Sequence, residues 1–366
     1  MDARAPRAGS RLTTALCVSL GLAGCATDIG QLGRAVGGHL SVMQASRPVQ
    51  DWMDDPSTSP ALRSRLELSQ ALRDFSIRTL KLPDNASYRR YADLGRPAVL
   101  WNVVAAPELD LRLKTWCYPV VGCVGYRGHF DEGRAQREAQ ALRLQGWEVQ
   151  VVPVTAYSTL GWTQWMGGDP LLNTFALGSP IELARLLFHE LAHQVAYAPG
   201  DMAFSESFAT AVERLGLAHW AADPGSAVVG AAQWRAWEER QARRQALMKR
   251  VDLHREQLQA LYRSRMADEA RRERKVALRE EFQREYRQLR DQQWGGDKTF
   301  DAWVGALNNA TLALHGSYAD GVPAFLRLFE QQGRDFDRFY AEVRRLAALD
   351  AEARRAALEA LSRPAP

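Results

Sequence analysis

The spacing of apolar residues along the chain predicts helices around a small sheet. Residues 28–95 have a helical pattern, because leucine and phenylalanine recur every three or four residues in "ALRSRLELSQALRDFSIRTL" until "LPDNASY" interrupts them. Residues 98–104 (AVLWNVV) and 148–154 (EVQVVPV) are β-branched and apolar, which predicts two strands. Residues 131–147 form a helical pattern between them that ends at Gly146. The pattern therefore predicts a mostly helical α+β protein.

A long, highly charged segment follows. No proline or glycine occurs from Ala232 to Trp294, and charges of both signs are dense there. Two groups of apolar residues at helical spacing predict two long antiparallel helices, with Asp268 as a cap between them; one continuous helix is the alternative. The groups are Trp234, Trp237, Met248, Val251, Leu258 and Tyr262, then Leu278, Phe282, Tyr286 and Leu289. Residues 300–361 return to shorter amphipathic helices, one opened by Pro323.

The first 25 residues have the features of an export signal. Three arginines precede the apolar run "LTTALCVSLGLAGC", which is too short to span a bilayer. The run ends in Leu22-Ala23-Gly24-Cys25, which resembles the bacterial lipoprotein cleavage box. That resemblance implies removal of residues 1–24 and a lipid on Cys25. Because Ala26 and not aspartate follows, we expect an outer-membrane lipoprotein that faces the periplasm. A plain cleaved signal or an uncleaved anchor is the alternative.

Net charge does not favour a nucleic-acid partner. The formal charge is +4, and residues 1–24 contribute +2 of it through three arginines and one aspartate. A mature chain with a charge of +2 has no basic excess that would bind phosphates.

Two cysteines remain after Cys25, at positions 117 and 123 in "TWCYPVVGCVGYRG". Export places the protein in an oxidising compartment, so we predict a disulfide between Cys117 and Cys123, with free thiols as the alternative. Zinc binding by this pair alone is disfavoured, because no second pair of cysteines or histidines lies nearby.

The segment "GSPIELARLLFHELAHQVAYAPG" carries an HExxH motif on a predicted helix. Ser179 has the position of an N-cap, with proline at the first helical residue and a glutamate three residues after the cap; the helix is expected to run to about Ala198. His189 and His193 are four residues apart and share one helix face. Glu190 lies beside them, where it can take a proton from a metal-bound water. The motif predicts one Zn²⁺ ion and hydrolytic chemistry.

A third ligand must come from elsewhere, and two glutamates follow. Glu213 lies 20 positions after His193, close to the spacing of thermolysin-like enzymes. Glu206 lies in "SESFATAVE", which resembles the "NEGFAxxxxE" string of aminopeptidase N-like enzymes, whose first glutamate binds zinc. A tight turn at "APGD" would pack two helices antiparallel and bring Glu206 to the ion. We therefore predict Glu206 as the ligand and Glu213 as a support for a ligand histidine; a solvated surface charge is the alternative for Glu213.

Several ordered blocks carry a wider resemblance. They are "GGHLSVMQASRPV", "LPDNASYRRYADLGRPAVLWNVVAAPE", "TWCYPVVGCVGYRGHFDE", "AYSTLGW", "DPLLNT", "FHELAHQ" and "ESFATAVE". From near Cys25 almost to the C-terminus, the chain resembles the bacterial family of "putative aminopeptidases", zinc peptidases of the HExxH-plus-Glu (gluzincin) type, many of them predicted lipoproteins. The resemblance implies a zincin-like core. Ser205 departs from the usual asparagine, "GWTQWMGGDP" is longer than the usual link, and the amine-binding "GAMEN" string is absent.

The predicted organisation has four parts. A signal peptide (1–24) precedes N-terminal helices with the zincin-like core (25–225), a charged helical hairpin (226–295) and a C-terminal helical part of the catalytic domain (296–366).

Further residues are candidates for the cleft. Peptide hydrolysis forms an oxyanion that a second donor stabilises, and Tyr318 is the first choice, with His315 second. Tyr126 and Arg127 lie on a glycine-rich loop, where a structural role is the alternative to binding substrate. Tyr157 follows a strand whose edge could pair with an extended peptide.

The sequence therefore predicts a membrane-anchored zinc metallopeptidase that acts on peptides or proteins, with an aminopeptidase first. Two alternatives remain: a zinc endopeptidase of the cell envelope, and a non-catalytic scaffold lipoprotein with a structural zinc site whose hairpin docks a protein partner.

Overall fold

A computed structural model of the protein describes residues 22–118, 122–161, 164–316 and 321–362. The helices in these ranges are α1 (Leu22–Ala45), α2 (Val49–Asp54), α3 (Pro60–Arg78), α4 (Glu132–Leu144), α5 (Asn173–Ala176), α6 (Pro180–Ala192), α7 (Met202–Ala221), α8 (Ala231–Arg263), α9 (Asp268–Gln293), α10 (Asp301–Gly305), α11 (Asn309–Gly316), α12 (Val322–Gln331), α13 (Phe336–Ala347) and α14 (Ala351–Ser362). The strands are β1 (Arg47–Pro48), β2 (Arg90–Ala92), β3 (Leu100–Pro107), β4 (Trp116–Tyr118), β5 (Gly122–Val124), β6 (Arg127–His129), β7 (Trp147–Val154) and β8 (Leu171–Leu172). The predicted α+β class with mostly helical content is confirmed.

The chain divides into two compact units at Ser41 and Val42. In the first unit the described residues form most of α1, and the second unit contains all other elements. No helix among the described residues combines the length and apolarity that crossing a membrane requires.

The largest sheet has the strand order β6–β3–β7 and is antiparallel throughout. Both predicted strands are confirmed, although β3 begins two residues later and ends three residues later than its apolar run, and β7 begins one residue earlier. Residues of β3 alternate between two covered faces: Trp101, Val103 and Ala105 pack against α4, while Val104 and Ala106 pack against α11. Because both faces are buried, β3 has the continuous apolar sequence that predicted it.

A second, two-stranded sheet forms a short hairpin from β4 and β5. Cys117 and Cys123 are directly opposite each other in its register, and a disulfide joins them. A third sheet, in the order β1–β2–β8, links the N-terminal segment to the chain just before α5.

The charged segment forms two helices, α8 and α9, so the predicted hairpin is confirmed over the single-helix alternative. The predicted cap is displaced by one residue: Ala267 is the N-cap of α9, and Asp268 is its first helical residue. The hairpin has its own core around Val251, Leu258 and Phe282. Trp234 and Trp237 pack instead against the main core.

Asn309 joins the hairpin to the largest sheet. This residue is 1% exposed. Its amide nitrogen donates to the carbonyl oxygens of Pro107, Glu108 and Asp110, and its amide oxygen accepts a hydrogen bond from Tyr262 at 2.9 Å. A buried amide with four partners holds the end of β3, α8 and α11 in one arrangement.

The main core surrounds α6 and α7. Aromatic rings of α7, α12 and α13 interlock there, with the rings of Phe208 and Phe325 5.7 Å apart. Pro323 lies in the first turn of α12, as predicted. Gly216 of α7 faces Phe188 of α6 so closely that a Cβ at this position would lie 2.6 Å from the ring. The two helices that carry the HExxH motif and the following glutamates are therefore in direct contact.

Candidate metal centre

Helix α6 begins as its sequence predicts. The hydroxyl of Ser179 accepts a hydrogen bond from the backbone N–H of Glu182 at 3.2 Å, and Pro180 occupies the first helical position. The predicted extension to Ala198 is wrong, because the helix ends at Ala192 and His193 is its C-cap. The backbone N–H of Gln194 bonds three residues back to Leu191 at 3.1 Å, which tightens the last turn and ends the helix.

The link between the two helices is longer than the tight turn that the sequence predicted. It spans residues 193–201 and ends at Asp201, whose carboxylate caps α7 by accepting from the N–H of Phe204 at 3.0 Å. Ser205 steadies the link, because its hydroxyl accepts a hydrogen bond from the N–H of Ala198 at 3.1 Å. Glu206 therefore lies in the second turn of α7, facing the end of α6.

The structure brings His189, His193 and Glu206 together. One ligand atom from each residue lies within 4.8 Å of the others. The Nε2 atoms of His189 and His193 are 3.3 Å and 3.7 Å from the Glu206 carboxylate oxygens. Two imidazole nitrogens and one carboxylate oxygen, all partly or fully buried, form a donor set that suits a catalytic zinc ion with its fourth position open. These residues therefore fit the metal.

Glu213 lies behind His189 and outside the group of three. Its carboxylate is 3.2 Å from Nδ1 of His189 and accepts a hydrogen bond from Arg185 at 3.1 Å. Arg185 also bonds Glu182 at 2.7 Å. A partner on the far ring nitrogen sets the tautomer and orientation of a ligand histidine. Sequence reasoning missed Arg185, although its position four residues before His189 on the same helix was a usable signal.

In the metal-free protein, burial and neighbouring charges shift the pKa values of Glu190, His193 and His189 in different directions. Burial raises the pKa of Glu190 to about 7, and the charge of His189 opposes that rise. Burial lowers the pKa of His193 to about 4. Burial would also lower the pKa of His189, but the hydrogen bonds that its ring donates to the carboxylates of Glu206 and Glu213 outweigh it and raise the value to about 10. His193 is therefore neutral at pH 7, as metal binding requires.

A buried polar network holds the end of α6, and sequence reasoning missed it. The side-chain amide of Gln194, which follows His193, donates to the Ser87 hydroxyl at 3.0 Å and to the Asp169 carboxylate at 3.3 Å. Asn85 donates to the Gln194 oxygen at 2.7 Å. These residues come from "LPDNASY", "GGDP" and "AHQ", and the sequence gives no periodic signal that three such distant loops meet.

Tyr126 and Arg127, the two cleft candidates on the glycine-rich loop, have different surroundings. Tyr126 packs beside Val104 and Ala106, and its pKa is raised by burial and by the charges of Glu206 and Glu190. Arg127 forms an ion pair with Glu138 at 3.5 Å and lies over the Trp116 ring, contacts that belong to the sheet.

The remaining candidates are distributed around the core. Tyr157 packs edge-to-face against Phe130 at 5.8 Å, and burial raises its pKa, with a further contribution from Asp169. His315 pairs with Asp252 of α8 at 3.1 Å. Tyr318 lies outside the described residues.

The disulfide hairpin reaches the link between α6 and α7. Gly122 has a φ of +76°, and a Cβ at this position would lie 2.9 Å from the backbone nitrogen of Gly200. Only glycine permits this approach of two backbones. The hairpin therefore packs against the segment that connects His193 to Glu206.

Comparison with known proteins assigns the chain to a family. The model of the family described as "Putative aminopeptidase" matches residues 30–358. The chain belongs to this family. The matched range includes the His-His-Glu group and the charged hairpin. Membership in an aminopeptidase family indicates a peptidase. No curated protein and no solved structure matches the chain.

Proposed function

We propose that this protein is a zinc-dependent metallopeptidase of the gluzincin type with a zincin-like core, and that its activity is that of an aminopeptidase. The observation that carries the proposal is the convergence of His189, His193 and Glu206 within 4.8 Å at the junction of α6 and α7. These three residues would hold one Zn²⁺ ion, with Glu213 supporting His189.

Glu190 is the residue that would move protons. When bound, zinc supplies Lewis acidity that lowers the pKa of a water ligand from 15.7 to about 7 and polarises a carbonyl. Glu190 follows His189 directly and is buried beside it. Burial places its pKa at about 7, so at neutral pH it can accept a proton from water and later return it to the leaving amine.

The test of this role is Glu190→Gln, which keeps the size of the side chain and removes its basicity. We expect zinc content to be unchanged and kcat to fall about 100- to 10,000-fold, the usual contribution of a general base. A variant with full biological activity and bound zinc would instead support the scaffold alternative.

A second experiment separates exopeptidase from endopeptidase action. The wild-type protein is assayed on amino-acid anilides and on peptides blocked at the amino terminus. Hydrolysis of the anilides supports an aminopeptidase, whereas cleavage of blocked peptides alone would establish an endopeptidase.

We also propose that the mature protein is anchored to the outer membrane through lipid on Cys25 and faces the periplasm. The motif before Cys25 and the following Ala26 support this. Radiolabelled palmitate should be incorporated into the wild type and not into Cys25→Ser, and the variant should leave the membrane fraction. Labelling of both proteins, or of neither, would contradict the proposal.

A protein partner at the α8–α9 hairpin remains a further proposal. Leu253 and Val276 are each 58% exposed on its two helices. If they contact a partner, Leu253→Asp with Val276→Asp should abolish its co-purification and leave peptidase activity intact.

A further inference from the structure

Arg354 is a buried arginine on the C-terminal helix α14. It is 5% exposed, whereas the other residues of α14, a helix that the structure describes from end to end, are at least partly exposed. Its Nε donates a hydrogen bond to the Asp201 carboxylate at 2.9 Å, and its Nη1 donates to the carbonyl oxygen of Ala347 at 2.9 Å. Removing a charge from water is costly, so the guanidinium is buried because it has these partners.

The two bonds of Arg354 connect the ends of two other helices. Ala347 is the last residue of α13, and Asp201 is the N-cap of α7. A positive charge suits the C-terminus of α13, where the helix dipole is negative, but it opposes the positive N-terminus of α7. The carboxylate of Asp201 offsets that repulsion. Arg354 therefore lies at the start of α7 because of Asp201, and it attaches the C-terminal helices there.

Asp201 joins the first turn of α7 to the end of the link. Its Oδ1 accepts a hydrogen bond from the N–H of Phe204 at 3.0 Å, while its Oδ2 accepts from Arg354. The guanidinium of Arg354 also lies 5.5 Å from the centre of the Phe204 ring. The backbone carbonyl of Asp201 accepts from the Ser205 hydroxyl at 3.0 Å, and that hydroxyl accepts from the N–H of Ala198. Arg354 therefore holds both the cap and the first turn of α7.

Glu206 follows this first turn directly. Its carboxylate oxygens lie 3.3 Å from Nε2 of His189 and 3.7 Å from Nε2 of His193. A metal ligand must be held within about 0.5 Å of its working position, whereas the ends of helices fray. A cap whose own carboxylate is bonded to a buried arginine cannot rotate away from the helix. The position of Glu206 relative to the two histidines therefore depends on the contact between Arg354 and Asp201.

We propose that Arg354 is a positioning residue for the metal centre. Through the carboxylate of Asp201 it fixes the first turn of α7, and so it holds Glu206 where that residue faces both histidines. The inference rests on the proposed function. Arg354 acts through Asp201 and α7 and touches neither metal nor substrate. The C-terminal helix α14 thereby contributes to zinc binding from a position about 150 residues later in the chain than the proposed ligands.

The test is Arg354→Met, which removes the charge and keeps an unbranched apolar side chain. Arg290→Met is the matched control, because Arg290 of the hairpin also bonds an aspartate, Asp301, at 2.9 Å and is mostly buried. Zinc affinity is measured by competition with a chelator, and stability of the zinc-free proteins by urea denaturation. We expect both variants to be less stable than the wild type. Arg354→Met should also bind zinc about 10-fold more weakly, the lower end of the usual effect of residues that support a metal ligand. A zinc affinity equal to that of the control would overturn the inference.

Two further variants separate positioning from general stability. Arg354→Lys keeps the positive charge and can still bond Asp201, so it should bind zinc nearly as well as the wild type. Asp201→Asn keeps a capping oxygen and presents an amide nitrogen to Arg354, so it should weaken zinc binding even if Arg354→Met does not fold. The double variant of Asp201→Asn with Arg354→Met should bind zinc no more weakly than Arg354→Met, because both changes break the same contact. Additive losses, or wild-type zinc affinity in Asp201→Asn, would contradict the proposal.

A last readout needs neither metal nor activity. Amide hydrogen exchange of the zinc-free protein is followed by mass spectrometry on peptides that cover the start of α7, residues 202–206, and its later turns, residues 210–221. In Arg354→Met the first peptide should exchange faster than in the wild type, and the second should not change. Equal exchange of the first peptide would refute the hold of Arg354 on α7. A wild-type protein that binds no zinc would instead refute the proposed function, and the exchange rates would still decide whether Arg354 fixes the first turn.

Discussion

Glu213 lies 3.2 Å from Nδ1 of His189, on the side of the ring opposite the Nε2 that is 3.3 Å from Glu206. One imidazole is thus held between two carboxylates that come from the same helix, seven residues apart. Seven residues correspond to about two turns of α-helix, so α7 presents one carboxylate to each side of the ring. In the proposed zinc site Glu206 would be a ligand and Glu213 a support for His189, and mutation of each residue distinguishes the two roles.

Removal of either glutamate should change zinc binding in a different way. Glu206→Ala deletes a proposed ligand, so we expect the protein to lose zinc on dialysis. Glu213→Ala leaves the three ligands and should bind zinc about 10- to 100-fold more weakly, because His189 loses its orienting partner. Zinc content by atomic absorption and competition with a chelator measure both effects. Glu182→Ala, which removes a carboxylate that contacts Arg185 and not histidine, is the control. Retention of zinc in Glu206→Ala with loss in Glu213→Ala would reverse the assignment.

The contact between Gly168 and Ser87 should be sensitive to a single methyl group. Gly168 has a φ of +67°, and a Cβ there would lie 2.5 Å from the backbone nitrogen of Ser87. Gly95 has a similar φ of +60° and open space around it, so Gly95→Ala is a matched control for backbone strain. We expect Gly95→Ala to lower the free energy of unfolding by about 1–2 kcal/mol, and Gly168→Ala to lower it by about 1–3 kcal/mol more because of overpacking.

Urea denaturation of the two glycine variants measures this difference. Equal stability of the two variants would show that the backbone at Ser87 moves away from the added methyl group at little cost in free energy. In that case the polar network would not hold the end of α6 as rigidly as its hydrogen bonds imply.

The disulfide should stabilise the segment that links the ligand helices. Cys117 and Cys123 are six residues apart, and a loop of this size is expected to contribute about 2 kcal/mol to the free energy of unfolding. We expect reduction by dithiothreitol to lower the melting temperature and the zinc affinity together, since the hairpin supports Gly200. The double variant Cys117→Ser with Cys123→Ser is the control and should not respond to dithiothreitol. Unchanged zinc affinity after reduction would limit the role of the hairpin to global stability.

His254 should make the protein sensitive to acid. Its ring stacks on Phe282 with centroids 4.9 Å apart, and burial lowers its pKa to about 4. The unfolded chain takes up a proton near pH 6.5 and the folded chain does not, so this part of the stability is present above pH 6.5 and is lost as the pH falls towards 4. The loss amounts to about 3 kcal/mol at pH 4.

His254→Phe removes this titration and keeps an aromatic ring. We expect the variant to lose less stability than the wild type between pH 7 and pH 4, as measured by urea denaturation. Comparing the two proteins cancels the other titrating groups. Parallel pH profiles would show that His254 does not change its protonation on unfolding.

Local sequence was sufficient for elements whose signals lie within a few residues. Ser179 and Pro180 start α6 where their capping chemistry predicts, because a cap is a contact between neighbours in the chain. The apolar runs in β3 and β7 and the spacing in α8 and α9 predicted those elements for the same reason. His189, His193 and Glu190 share one turn of helix, so their convergence follows from helical periodicity alone.

Tertiary structure decided where those elements end and what surrounds them. The apolar pattern of α6 continues to Ala198, yet the helix stops at Ala192. Two residues later the side chain of Gln194 bonds to loops more than twenty residues away in the chain. Glu206, and not Glu213, faces both histidines because of how α7 packs on α6, a packing that includes the close approach of Gly216 to Phe188.

The surroundings of Glu190 illustrate the same division. Its place in the motif is a local fact, whereas its burial depends on the packing of residues that are distant in the chain. The sequence by itself therefore determined which residues are candidates for the chemistry, since helical spacing is a property of the chain. Only the folded molecule determined their protonation and support, because desolvation and hydrogen bonding depend on residues that meet through packing.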